Sequence, residues 1–253
     1  MNPMDHFLLL ALGGLVAGAM NALAGGGSFV SLPAMIAAGV PSVQANASGT
    51  VALFLGQVTS AWTYWDGMRP VCGVPRRQLL AVSVVGGLLG SLLLLWTPSS
   101  AFDFILPWLM LIATLALAFG RQAGLILRRY VHIGPGVMLA GQFFLGIYGG
   151  YYGGAIGLMM LALWALMGEV DIKTLNPPRI MLASASNVAA VATFIIAGAV
   201  RWPQTFIMLV AGVIGGYGGA RLGRVLPGPV IRALTIICAA AITVAFFVRA
   251  YAR

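Results

Sequence analysis

The sequence GAMNALAGGGSFVSLP, residues 18–33, interrupts a long apolar run near the start of the chain. Three adjacent glycines followed by a proline make a continuous helix costly at this point. Inside a bilayer, the backbone groups released by such a break persist only where they are buried in protein or line a cavity. If a second helix begins near Ser28, its free N–H groups and the positive end of its dipole form a site for an anion. The segment therefore predicts a broken helix beside a functional cavity.

The composition places most of the chain in lipid. Hydrophobic residues make up 60% of the sequence and charged residues 8%, and the mean hydropathy is +0.99. Lipid offers backbone groups no partners, and the apolar runs are continuous rather than alternating, so the predicted fold class is all-α, a polytopic membrane protein with about eight transmembrane helices. The predicted spans are Phe7–Leu23, Gly49–Trp65, Leu79–Trp96, Phe102–Phe119, Gly134–Leu166, Ile180–Ala197, Gln204–Leu222 and Ile231–Val248.

The net charge of +9 comes from arginines at span ends, which indicates a topology signal rather than a nucleic-acid partner. With eight spans and a cytoplasmic N-terminus, the charges divide into two groups. The inside would hold Arg69, Arg76, Arg77, Arg121, Arg128, Arg129, Arg201, Arg249 and Arg253, and the outside would hold Lys173, Arg179, Arg221, Arg224 and Arg232.

Three blocks of sequence recur in the same order, which indicates an internal duplication. Residues 84–91 (VVGGLLGS) resemble 213–220 (VIGGYGGA), and residues 47–50 (ASGT) resemble 183–186 (ASAS). The third pair is Gly18 with Gly25-Gly26 and Gly146 with Gly153-Gly154. We therefore predict two related four-helix repeats, residues 1–119 and 134–253, joined by a basic linker, residues 120–133. Four spans per half would make the repeats parallel, whereas extra half-spans at 28–38 and within 134–166 could invert the second repeat.

Polar residues cluster beside each predicted break. Asn46 and Thr50 share one helix face, and so do Ser184 and Asn187, which should turn away from lipid. Interhelical hydrogen bonding explains these residues equally well. Arg179 and Arg221 could offset the charge of an anion, and snorkelling to the membrane surface is the alternative role. The predicted substrate-binding residues are Asn21, Gly25, Gly26, Gly27, Ser28, Asn46, Ser48, Thr50, Gly153, Gly154, Arg179, Ser186, Asn187 and Arg221.

Other function classes lack a sequence signal. The acidic residues fall in loops or at span edges, so no buried carboxylate relay is evident. No phosphate-binding loop, metal-ligand helix pair or serine nucleophile motif is present, and we expect no enzyme activity, no cofactor and no metal. Three classes stay open: a carrier, an anion channel, and a membrane scaffold or sensor whose glycines serve packing alone.

The first half resembles the TauE/SafE family of sulfite exporters and toluenesulfonate-uptake permeases. The resemblance rests on residues 21–28 (NALAGGGS), Pro33, and 39–41 (GVP) ahead of 45–48 (ANAS). In the second half the counterpart of Asn21 is a glycine, which argues against a symmetric site. The resemblance implies a permease of the bacterial inner membrane that handles sulfite, sulfoacetate or other organosulfonates, with the lipid bilayer and a small anion as its partners. A homodimer is left open.

Overall fold

The computed structural model describes residues 2–63, 70–71, 73–127, 134–166 and 172–251. Apart from one isolated bridge between Val71 and Val74, these ranges contain no β-structure. They form helices α1 (Pro3–Ala24), α2 (Ser28–Ala37), α3 (Ser42–Thr63), α4 (Arg76–Trp96), α5 (Ser99–Leu127), α6 (Pro135–Tyr151), α7 (Ile156–Leu166), α8 (Ile172–Ile196), α9 (Trp202–Val225) and α10 (Gly228–Tyr251).

Six of these helices are long and apolar enough to cross a membrane, namely α1, α4, α5, α8, α9 and α10. The fold is thus all-helical and polytopic, as predicted. Helix α3 has 22 residues, about 33 Å at 1.5 Å per residue, but carries more polar side chains. The predicted span 134–166 is two helices, α6 and α7, and residues 28–37 form the separate short helix α2. Helix α5 continues to Leu127, through much of the predicted linker.

Helices α1 and α9 run parallel and touch through their backbones. A Cβ atom at Gly18 would lie 2.8 Å from Cα of Gly212, and one at Gly219 would lie 2.6 Å from Cα of Ala19. A Cβ atom at Gly215 would overlap the Leu15 carbonyl. Residue numbers rise together along this contact, so the two helices point the same way. Small residues permit this close approach, as is common between membrane helices.

Helices α4 and α6 repeat this arrangement. A Cβ atom at Gly86 would lie 3.0 Å from Cα of Gly146, and one at Gly90 would lie 2.8 Å from N of Tyr151. Gly150 approaches Gly87 in the same way, with 2.9 Å to its Cα. Residue numbers again rise together, so α4 and α6 are parallel. Each pair joins one helix from the first half of the chain to one from the second.

Side-chain contacts place the helix ends on two opposite faces. Ser42 Oγ at the start of α3 donates to the Ser99 carbonyl at the start of α5, 3.2 Å away. Arg201, just before α9, donates from Nε to Gln44 Oε1 at 2.7 Å. We call this end the N-terminal face, because α1 also begins there. Helices α1, α3, α5 and α9 run away from it, and α4, α6, α8 and α10 run toward it.

The opposite end, which we call the basic face, collects most of the described arginines. Arg232 on the second turn of α10 donates from Nη2 to the Ala118 carbonyl of α5 at 2.8 Å, which aligns the start of α10 with the end of α5. Arg201 and Arg249 lie at the N-terminal face together with Asp5 and Asp103. The charge grouping expected from eight spans is therefore wrong for Arg76 and Arg77, which lie opposite Arg201 and Arg249. The basic face carries Arg76, Arg77, Arg221, Arg224 and Arg232.

Candidate functional site: a cavity between two helix breaks

The first break is a sharp reversal between α1 and α2. Gly25 adopts φ +74°, and its N–H donates to the Asn21 carbonyl at 3.0 Å, which closes the last turn of α1. Helix α2 then folds back along α1, because a Cβ atom at Gly13 would lie 2.5 Å from Cβ of Ala34. Among backbone hydrogen bonds between described residues, none uses the N–H groups of Gly26, Gly27 or Ser28. The break thus leaves the donors that the triple glycine predicted.

The second break lies between α6 and α7 and has a different shape. Gly153 adopts φ +80° and Ala155 adopts φ +57°, so the chain turns through two left-handed residues before Ile156. The Tyr152 side chain is fully buried, and its ring fills the space beside Gly154, where a Cβ atom would lie 2.8 Å from Cζ. The two tyrosines of this segment are buried in protein rather than presented to the cavity.

Both breaks border one cavity of about 610 Å³. A Cβ atom at Gly27 would lie 2.9 Å from Leu53 Cδ1, and Leu53 is near the midpoint of α3, so the inner end of the cavity lies near the middle of the helices. From there the cavity extends along α3 to Ser60 and along α9 to Ala220. The polar and charged residues of its wall are Asn21, Ser28, Thr50, Gln57, Thr59, Ser60, Arg179, Asn187 and Tyr217.

Amide side chains link the two halves of the chain across the cavity wall. Asn187 Nδ2 on α8 donates to Gln57 Oε1 on α3 at 2.7 Å, and Ser184 Oγ donates to the Gln57 carbonyl at 3.4 Å. The Asn187 Oδ1 atom is buried and has no hydrogen-bond partner. Because amide oxygen and nitrogen atoms exchange places on a side-chain flip, this pair can present either donors or acceptors.

Arg179 supplies the positive charge among the described residues of the cavity wall. Its Nη2 atom donates to Asn176 Oδ1 at 2.6 Å, one turn earlier on α8. Its aliphatic stem crosses the start of α7, where a Cβ atom at Gly157 would lie 3.1 Å from Arg179 Cγ. The side chain is half-buried, so its charge acts in a medium less polar than water.

The predicted binding residues divide into two groups. The structure brings half of them to the cavity wall, from both halves of the chain. These are Asn21, Gly25, Ser28, Thr50, Gly153, Arg179 and Asn187.

The other predicted residues lie outside the cavity wall, and most serve packing or hydrogen bonding. Gly26, Gly27 and Gly154 are buried beside neighbouring side chains. Asn46 Nδ2 donates to the Tyr151 carbonyl at 2.9 Å, and Ser48 Oγ accepts from the Arg201 amide at 2.9 Å. Ser186 Oγ donates to the Leu182 carbonyl. The exposed Arg221 stacks on Tyr217, with its Cζ atom 4.5 Å from the ring centre.

Tyr217 and Gln57 belong to the wall but not to the predicted set. Gln57 follows Thr50 by seven residues, two helical turns on the same face, and the sequence already places it in the polar cluster of the first half with Asn46 and Thr50. Tyr217 interrupts the glycine block of α9, at the place where the corresponding block of α4 has Leu88. A lone aromatic residue in an apolar helix carries little signal of its own.

Substitution of Gly25 with alanine is expected to destabilise the protein by about 1–2 kcal/mol, because a Cβ atom is disfavoured at a left-handed residue. Steric crowding does not contribute to this destabilisation, because no atom lies within 4 Å of the Cβ position at Gly25. Gly134→Ala is the matched control, because Gly134 is equally uncrowded and has φ −82°. Thermal unfolding in detergent measures both, and equal melting temperatures would contradict the reversal at Gly25.

Comparison with known proteins identifies the family. The model of the family described as "Sulfite exporter TauE/SafE" matches residues 10–246. The "Probable membrane transporter protein YfcA" of Escherichia coli K12 is 27% identical over 227 residues, 89% of this chain and 84% of its own. A "Probable membrane transporter protein" of Haemophilus influenzae is 28% identical over 236 residues, 92% and 91% of the two chains. No solved structure gives a significant match. The chain therefore belongs to the TauE/SafE family of membrane transporter proteins.

Proposed function

We propose that this protein is a secondary transporter of small sulfur-containing anions, such as sulfite, sulfoacetate or other organosulfonates. The anion would bind in the cavity between the two helix breaks. One observation carries the proposal: the start of α2, the α6–α7 break and Arg179 all border the same cavity.

The donors around the cavity suit an oxyanion. Ser28 opens α2 at the positive end of its dipole, and a helix N-terminus with free N–H groups attracts negative charge. The Arg179 guanidinium offers a planar fork that matches the oxygens of a sulfonate or sulfite group. Amide groups of Asn21, Gln57 and Asn187 supply further donors. No carboxylate stands among the described residues of the wall, so nothing there repels an anion.

The helix directions favour a carrier built from two inverted halves. In the α1–α9 contact, Gly215 packs on Leu15. In the α4–α6 contact, Gly86, the counterpart of Gly215 in the repeated blocks, packs on Phe143, the counterpart of Leu15. Helix α1 leaves the N-terminal face, whereas its counterpart α6 approaches it. Inverted halves with a binding site at their interface are a common design of secondary transporters. We therefore interpret the two halves as inverted repeats of five helices each.

A channel is the weaker alternative, because the described conformation is closed at one end. Beyond the inner end of the cavity, Asn46 and Ser48 are buried and bonded to the second half of the chain. A carrier needs such a seal on one side at a time, whereas an open channel does not. We place the protein in the bacterial inner membrane as a multi-pass protein.

Flux measurements in proteoliposomes test this function. We expect saturable uptake of radiolabelled sulfite or a sulfonate, with counterflow driven by unlabelled anion inside the vesicles. An ohmic current without counterflow would indicate a channel. Absence of flux across a panel of sulfur oxyanions would refute the proposed substrate class, and absence with every anion tested would favour a scaffold or sensor.

A further inference from the structure

The cavity extends from near the middle of the long helices that line it toward one of their ends. On α3 the wall begins at Thr50, and on α9 it begins at Gly212, so in both cases it uses the half nearer the basic face. On α8, which runs the opposite way, the wall uses Arg179, Ile180, Ala183 and Asn187, which lie in the first two thirds of the helix. Thr59 and Ala220, at the end of the wall nearer the basic face, are exposed. Among the described residues, the wall extends toward the basic face and not toward the N-terminal face.

The other half of the same helices is sealed by contacts between the two halves of the chain. Asn46 Nδ2 on α3 donates to the Tyr151 carbonyl at the end of α6, and Asn46 is 3% exposed. Arg201 at the start of α9 reaches α3 twice, through its amide to Ser48 Oγ at 2.9 Å and through Nε to Gln44 Oε1 at 2.7 Å. These contacts join α3 to α6 and α9, directly above the inner end of the cavity.

The distribution of arginines orients the two faces in a membrane. The basic face carries Arg76, Arg77, Arg221, Arg224 and Arg232 near helix ends. Among the described residues, the N-terminal face carries two arginines, Arg201 and Arg249. Lysine and arginine near span ends are retained on the cytoplasmic side. The basic face is therefore the cytoplasmic one, which is the reverse of the orientation with a cytoplasmic N-terminus.

We infer that the structure is an inward-facing state, in which the cavity opens to the cytoplasm and an outer gate of Gln44, Asn46, Ser48, Tyr151 and Arg201 closes the opposite side. This inference rests on the proposed function only for the role of the cavity in transport. Helix α1 begins and helix α10 ends on the outer side. To release or collect an anion there, α3 must separate from the end of α6 and the start of α9.

The polar contacts across the gate are few. They are two hydrogen bonds between neutral groups and one to a guanidinium, without an ion pair among the described residues, and Tyr151 also packs in the same apolar core as Ala45 and Ala47. Hydrogen bonds between membrane helices are individually modest. Loss of the Asn46 bond is expected to shift the balance between inward-facing and outward-facing states by roughly threefold to twentyfold.

Labelling of single cysteines by a membrane-impermeant maleimide tests the orientation. The background carries Cys72→Ser and Cys238→Ala, and each probe is examined in intact spheroplasts and in inside-out vesicles. Ala220→Cys, in the cavity wall, should react only in inside-out vesicles. Ser100→Cys, exposed at the N-terminal face, should react only in spheroplasts. The reverse pattern would overturn the orientation, and failure of Ala220→Cys to react from either side would overturn the open cavity.

A second probe tests the gate. Thr50→Cys, at the inner end of the cavity, should react from the cytoplasmic side alone, and Asn46→Ala should raise its labelling from outside by threefold to twentyfold. Ser42→Ala is the control, because among the described residues the Ser42 hydroxyl donates within the first half, to the Ser99 carbonyl. Size-exclusion chromatography establishes that each variant is folded. Unchanged labelling with Asn46→Ala would refute the gate, as would an equal increase with Ser42→Ala.

The labelling needs no substrate, so its outcome is independent of the flux measurement. Expected labelling without flux would refute the proposed substrate class and leave the orientation intact. Saturable flux with reversed labelling would refute this inference and leave the transport function intact.

Discussion

Gly215→Val is expected to yield little or no monodisperse protein, because α1 and α9 then lose their backbone contact. A Cβ atom at Gly215 would overlap the Leu15 carbonyl and lie 2.7 Å from its Cα. Backbone atoms cannot turn aside as a flexible side chain can, so the whole helix must move. Overpacking ordinarily costs about 1–3 kcal/mol, and separation of α1 from α9 also removes the neighbouring contacts at Gly18 and Gly219. Size-exclusion chromatography in detergent and thermal unfolding measure the loss.

Gly218→Val is the matched control on the same helix. No atom lies within 4 Å of a Cβ position at Gly218, which faces outward, so its effect should stay near the ±0.5 kcal/mol typical of surface positions. Gly90→Val in α4 should behave like Gly215→Val, since its Cβ atom would lie 2.8 Å from the Tyr151 amide nitrogen. Similar melting temperatures for the Gly215 and Gly218 variants would show that the parallel pair is absent in solution.

The helix break at Gly25 could be predicted from sequence, because the signal is local. Three glycines in a row remove the side chains that favour a helix, whatever the rest of the chain does. The direction of α2 after the break could not be predicted. It depends on the fit of Ala34 against Gly13, two residues twenty-one positions apart whose contact no local pattern encodes. The same three glycines are compatible with a second helix that continues in the direction of α1 and with one that folds back along it.

The orientation of the arginines could not be predicted for a related reason. Sequence periodicity treats 134–166 as one long apolar run, since the residues of the break, Tyr152 and Ala155 among them, are not polar. The α1–α2 reversal moves the ends of the following helices to the opposite face, which separates Arg76 and Arg77 from Arg201 and Arg249, and the α6–α7 reversal then restores the original alternation. Arg221 and Arg232 therefore lie opposite the N-terminus with or without the two breaks, and the arginines between the breaks change sides.

The polar site residues were partly predictable. Asn46 was expected to face inward because an amide facing lipid is costly, and it is buried. Burial does not decide what such an amide binds, and Asn46 bonds a carbonyl of the second break rather than the cavity. That partner lies 105 residues away, and only the fold brings it near. The sequence thus predicted which face of α3 is polar. It did not predict which residues of that face belong to the gate and which line the cavity.

Arg179→Gln is expected to weaken anion binding by about tenfold to a hundredfold. A hydrogen bond to a charged group contributes about 1.5–3 kcal/mol, and each 1.4 kcal/mol corresponds to tenfold in affinity. Glutamine keeps a neutral amide donor on a shorter side chain and removes the charge and the planar fork. Arg179→Lys should give a smaller decrease, because the charge remains. The concentration of anion at half-maximal counterflow in proteoliposomes measures all three proteins.

Arg224→Gln distinguishes direct contact between an arginine and the bound anion from long-range attraction of the anion by surface charge. Arg224 is exposed near the end of α9, beyond the last wall residue Ala220, so its charge reaches the cavity only through solvent. Its loss should change half-saturation less than twofold at 0.15 M salt, where exposed charges are screened within about 8 Å. If both glutamine variants weaken binding equally, the arginines act as a surface potential. If Arg179→Gln binds the anion as tightly as the unaltered protein, the cavity between the breaks is not the binding site.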